Sequence, residues 1–100
     1  MLNSKGGKMT PFNKQLGELV QKHRKQKGLT QMELAMKLGY DTPQFVSIIE
    51  RGLAKIPMNT IGQLIILLDI PEKKIVQMHL DAYQTILKQE IQSGKKAVNQ

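Results

Sequence analysis

Residues 29–52 read LTQMELAMKLGYDTPQFVSIIERG, and this stretch decides the fold. Thr30 and Glu33 have the Thr-x-x-Glu spacing of a capping box, in which each side chain bonds the other residue's backbone N–H at a helix start. Leu29 and Leu34 flank the box as a hydrophobic staple. Leu34, Ala35 and Leu38 then share one face, and Gly39 stops the helix. Tyr40 and Asp41 form a short turn. Thr42 is expected to cap the next helix, with Pro43 in the first helical position, where no N–H is needed. Val46 and Ile49, three apart, face the core, and Gly52 ends this second short helix. Two short helices joined by a tight glycine turn meet at a steep angle. In DNA-binding proteins such a pair lays its first helix across the phosphate backbone and its second in the major groove.

Outward from this unit the pattern stays helical, with no strand-like alternation and no internal repeat. A first helix is expected from Pro11 to Lys27, with Phe12, Leu16, Leu19 and Val20 as its apolar stripe and Gly28 as a left-handed C-cap. Lys22, Arg24, Lys25 and Lys27 occupy its last turns, where cations suit the helix dipole. A loop from Leu53 to Pro57 precedes a fourth helix, Met58 to Leu68, with Ile61, Leu64, Ile65 and Leu68 on one face. Pro71 opens a fifth helix, expected to reach Gln92. The chain therefore divides into a flexible tail (1–10), a DNA-binding domain (11–70), a long C-terminal helix (71–92) and a second flexible tail (93–100).

One hundred residues suit one domain. Fifteen basic against eight acidic residues leave a formal charge of +7, which attracts polyanions. Aromatics are only 4% with no Trp, which argues against a stacking platform for single-stranded bases. The absence of Cys excludes disulfides, Cys-based zinc sites and thiol nucleophiles, and fits a reducing cytoplasm. No apolar run approaches a membrane span, and the N-terminus lacks the apolar region of a signal peptide. No metal or cofactor is expected, and no catalytic motif occurs. The two histidines, His23 and His79, lie on different helices without a carboxylate cluster. The six methionines read as core filler.

The blocks Leu-Thr-Gln-x-Glu-Leu-Ala (29–35), Leu38-Gly39, and Val46 to Gly52 ending in Ile-Glu-Arg-Gly resemble the Cro/C1-type (XRE) helix-turn-helix family, and the similarity spans about Phe12 to Pro71. The segment 38–45 is similar to a subgroup with one extra turn residue. The resemblance implies an all-α, five-helix lambda-repressor-like DNA-binding domain, here with an extended C-terminal helix, that acts as a dimeric transcriptional regulator. It also implies that Gln31 bonds a phosphate and often a neighbouring recognition side chain. It further implies that Lys55 contacts the backbone and that Arg24 pairs with Glu50.

The candidate DNA-binding residues are Gln31, Thr42, Gln44, Phe45, Ser47, Ile48 and Lys55. Gln44, on the exposed first turn of the second short helix, can pair bidentately with adenine. Ser47 follows one turn later and can meet a base or a phosphate. Thr42 is first a cap and second a phosphate ligand. Val46 and Ile49 fill the core stripe, so Phe45 and Ile48 are expected to point outward, toward thymine methyl groups or a protein partner. The alternative for Phe45 is to fold over the edge of the preceding helix.

On the fifth helix Val76, Leu80, Tyr83 and Leu87 make one stripe, broadened by Ala82, Ile86 and Ile91. A small body cannot cover it all, so a homodimer is expected, with two recognition helices roughly 34 Å apart. The reading is a non-enzymatic, sequence-specific regulator of double-stranded DNA, a homodimeric repressor. Its rival is a protein-interaction module, such as an antitoxin or polymerase-binding regulator, using the apolar face and the long helix.

Overall fold

The computed structural model describes residues 11–99. These form five helices, α1 (Pro11–Gln26), α2 (Gln31–Lys37), α3 (Gln44–Glu50), α4 (Met58–Leu68) and α5 (Glu72–Asn99), with no strand among the described residues. None of the helices is long and apolar enough to cross a membrane. The first expected tail, 1–10, lies outside the described residues.

Helix boundaries follow from local chemistry. The capping box at α2 is complete: the Glu33 N–H donates to Thr30 Oγ1 at 3.0 Å and the Thr30 N–H to Glu33 Oε1 at 2.8 Å. Helices α1, α2 and α3 close alike, a backbone N–H past each C-terminus donating five residues back. Leu29 donates to the Arg24 carbonyl at 3.1 Å, Tyr40 to Ala35 at 2.9 Å and Leu53 to Ile48 at 3.2 Å. The reversal after α2 needs Gly39 at φ 94°, a conformation that a Cβ disfavours. Helix α4 ends the same way without glycine. Asp69 adopts φ 54°, the Ile70 N–H donates to the Ile65 carbonyl at 3.2 Å, and the Asp69 carboxylate pairs with Lys27 at the end of α1.

The core joins all five helices. Leu16, Leu19 and Val20 of α1 meet Leu34 and Ala35 of α2, Val46 and Ile49 of α3, Ile61, Leu64 and Leu68 of α4, and Ile75 of α5. Ile56 and Ile70, both between helices, are also buried. Periodicity does not reveal them, because a single apolar residue in a connection has no period. Helix α1 is the central post, packing against α3, α4 and α5. Its approach to α3 depends on Gly17, where an added Cβ would lie 2.2 Å from the Ile49 carbonyl oxygen.

Several sequence expectations need correction. Thr42 does not cap α3. The helix begins at Gln44, Pro43 holds the flanking position at φ −80° and ψ 0°, and no side chain bonds the first-turn N–H groups. The proline ring presets the entry that a cap would otherwise stabilise. Helix α5 does not stop at Gln92. It continues through 93–99, against the expectation of a flexible tail there, because an established helix extends at little cost through a segment without proline, a single glycine at 94 included. Met32, Met36 and Met58 are exposed rather than core: Leu34 and Ala35 fill the inner face of the seven-residue α2, and Ile61, Leu64 and Leu68 that of α4, which Met58 opens.

Candidate nucleic-acid interface

The face that α3 turns outward is narrow. At 3.6 residues per turn, Gln44, Ser47, Ile48 and Arg51 fall on one side and Val46, Ile49 and Glu50 on the other. Burial follows this division: Val46, Ile49 and Glu50 are buried, Ser47 and Ile48 half-buried, Gln44 and Arg51 exposed. Ile48 is thus only partly outward. Phe45 departs further from expectation, being half-buried against the core with its ring centroid 4.6 Å from that of Tyr40. This is the alternative fold-over placement, and it follows because Phe45 sits about 100° from Gln44 around the helix, on the side of the turn. Thr42 and Lys55 are exposed on the connections before and after α3.

A polar cluster beneath this face fixes α3 to α1 and α2. Arg24 Nε donates to Glu50 Oε2 at 2.6 Å and Arg24 Nη2 to Glu50 Oε1 at 3.1 Å. The third guanidinium nitrogen, Nη1, donates to the Leu29 carbonyl at 2.8 Å. With all three nitrogens engaged and the side chain buried, Arg24 serves structure rather than a phosphate. Gln31 Nε2 donates to Glu50 Oε1 at 2.9 Å, and Gln21 Nε2 to the same oxygen at 3.3 Å. One carboxylate, with its side chain 1% exposed, thus gathers donors from α1 and from the start of α2. Such a buried charge persists only when its lone pairs are satisfied. Gln31 is half-buried and reaches back to the end of α3, which holds its carboxamide in a set position at the start of α2.

The structure therefore brings Gln44, Ser47 and Ile48 together on one helix face and ties Gln31 to the same helix. It sets Phe45 at the margin as a contact to Tyr40. Arg51 completes the face, a residue that the sequence reading did not select. Its signal was present in the spacing 44, 47, 48, 51, the i, i+3, i+4, i+7 set of a single helical side. Its Nε reaches the Ser47 carbonyl at 3.4 Å. Among the described residues no group of three or more His, Cys, Asp or Glu is placed to hold a metal ion. His79 packs edge-on against Phe12, ring centroids 4.8 Å apart, which gives it a packing role between α5 and α1.

No protein-family model matches the sequence, and no curated protein matches it. Solved structures do match in fold. The clp gene regulator ClgR from C. glutamicum superimposes with a TM-score of 0.61 at 20% identity, over 75% of this chain and 95% of that one. The wild-type restriction-modification controller protein C.Esp1396I gives 0.58 at 20% identity, over 74% and 94%. A point variant of the same controller gives 0.59 at 23%, over 81% and 98%. The chain thus shares its all-helical fold with this gene regulator and this controller protein, with α2 and α3 forming a helix-turn-helix.

Proposed function

We propose that this protein is a non-enzymatic, sequence-specific regulator that binds double-stranded DNA as a homodimer and represses transcription by occupying its site in the cytoplasm. The observation that carries the reading is the outward α3 face, with Gln44 and Arg51 exposed and Ser47 and Ile48 half-buried, tied to α1 and α2 by the buried Arg24–Glu50 pair and by Gln31. A recognition element gains from this combination, because a side chain on an anchored helix meets a base edge in a set geometry. The similarity in fold to ClgR and C.Esp1396I, described as a gene regulator and a controller protein, supports the same class.

In this reading α3 lies in the major groove. Gln44 pairs with an adenine, Ile48 covers a thymine methyl group, and Ser47 and Arg51 reach bases or flanking phosphates. Gln31, Thr42 and Lys55 contact the backbone and set the register. Phe45 anchors α3 to the turn and offers only its outer edge to DNA. A second copy covers the apolar stripe of α5. That stripe is also the one observation favouring a protein-interaction module, and a homodimer accounts for it without a further partner.

Fluorescence anisotropy tests the reading. Duplex DNA from upstream of the gene is titrated beside a scrambled duplex, from roughly 50 to 200 mM salt. A preference of about a thousandfold for the upstream DNA is expected. Equal, steeply salt-dependent binding to both duplexes, persisting across a genome-wide fragment selection, refutes sequence-specific recognition.

A further inference from the structure

The exposed side of α5 has a regular period. Val76, Leu80, Tyr83, Leu87, Ile91 and Val98 follow at steps of four, three, four, four and seven residues, with Gly94 dividing the last step. Each position therefore recurs eleven residues on: Val76 at Leu87 and Val98, Leu80 at Ile91, Tyr83 at Gly94. Eleven residues in three turns is about 3.67 per turn, close to the 3.6 of a straight helix. The stripe thus stays on one side of α5 for about 33 Å, away from the side where Ile75 and Met78 meet the core. Its six large side chains are between 43% and 85% exposed. They form an apolar patch of several hundred Å2, on the order of those that partners cover.

We propose that this stripe is the seam of a parallel, in-register pair of α5 helices from two copies of the chain. The proposal rests on the dimer reading above and gives that dimer its face and its orientation. An eleven-residue period makes the pair nearly straight or weakly right-handed, unlike a seven-residue coiled coil. Charge selects the orientation. At roughly 100° per residue, Lys73, Lys88 and Lys95 lie along one margin of the stripe, with a single acid, Asp81, beyond them and bonded to Gln77, while Glu72 and Glu90 lie along the other. Unlike margins meet in a parallel pair, which sets Lys88 of one copy beside Glu90 of the other, twice by symmetry. Antiparallel pairing about Leu87 brings like margins together, Lys88 against Lys88. No ion pair with another described residue engages Lys88, Lys95 or Glu90 within the chain.

The chain has no cysteine, so introduced thiols report the geometry directly. The full chain carrying Val98→Cys is expected to sediment as a dimer and to become a disulfide-linked dimer in a glutathione redox buffer. A mixture of Val76→Cys and Val98→Cys chains is expected to give no preferential mixed cross-link. Preferential 76–98 linkage overturns the parallel orientation, and a monomer at all accessible concentrations overturns the seam itself. Lys88→Glu is expected to weaken dimerisation by about tenfold, and Lys88→Glu with Glu90→Lys to restore it. Unchanged dimerisation in Lys88→Glu overturns the charge assignment. Both positions are exposed, and circular dichroism confirms that helix content is kept. These measurements need no DNA. A monomer that still prefers its operator sinks the seam alone, and a cross-linked dimer without any DNA preference sinks the regulator reading alone.

Discussion

Helices α4 and α5 carry the same kind of apolar pattern and meet different fates. In α4, Ile61, Leu64 and Leu68 recur at three and four residues and are buried against α1. In α5, Leu80, Tyr83 and Leu87 recur at three and four residues and stand about half exposed. Of α5's residues only Ile75 is buried, although the helix is 28 residues long, about 42 Å. The difference lies in what is within reach. Helix α4 ends where Asp69 turns the chain, so that its whole length lies beside α1, with Asp69 next to Lys27. Helix α5 runs on past the body and stretches the molecule to 55 Å against 27 and 19 Å in the other directions. Periodicity therefore specifies that a face is apolar, and length decides whether the same chain can cover it.

Substitutions sharpen this contrast between a closed body and an open helix. The largest effect is expected at the polar cluster. Glu50→Ala leaves the buried Arg24 guanidinium without its carboxylate, and urea unfolding should show a loss of about 3–5 kcal/mol. An effect below about 1 kcal/mol would mean that water replaces the carboxylate and that the body is less closed than its burial indicates. Gln44→Ala should leave stability unchanged and cost about 1–3 kcal/mol of discrimination at one base pair, read by anisotropy with single-base operator variants. Thr30→Ala removes the cap of α2 and should cost about 1 kcal/mol in thermal or urea unfolding. Lys55→Ala should weaken binding to all duplexes alike and reduce the slope of log affinity against log salt by about one.

The smallest expected effect on folding is at Leu87. Leu87→Ala should change the stability of the body by no more than about 0.5 kcal/mol, measured at dilutions where the chain is monomeric, because no other helix among the described residues packs on that face. The same substitution should shift the monomer–dimer equilibrium in sedimentation. A large loss of monomer stability at Leu87 would erase the contrast, since it would place the outer part of α5 within the folding unit.

Much of the site could be read in advance. The capping box at Thr30 and Glu33, the core placement of Val46 and Ile49 and the Arg24–Glu50 pair all rest on short spacings or on a resemblance carried by short motifs. Other features escaped for identifiable reasons. Helical spacing leaves Phe45 a choice between pointing outward and folding over the edge of α2, and it does not show that Tyr40, from the turn, meets its ring. Thr42 has the residue type of a cap, but Pro43 holds the flanking position and no side chain caps α3. Gly17 drew no attention, because its need arises from the Ile49 carbonyl of another helix. The left-handed turn at Asp69 lacks the glycine that marks the other three helix ends.

Interactions between residues a few positions apart determined the number of helices, their starts and stops, and which face of each is apolar. These are local terms, written in adjacent residue types. Which apolar face found a cover, how Gln31 came to rest on Glu50, and how far α5 stands clear of the body were decided only by tertiary packing. Those outcomes depend on the distances that five helices leave between groups far apart in the chain, and no local spacing encodes such distances.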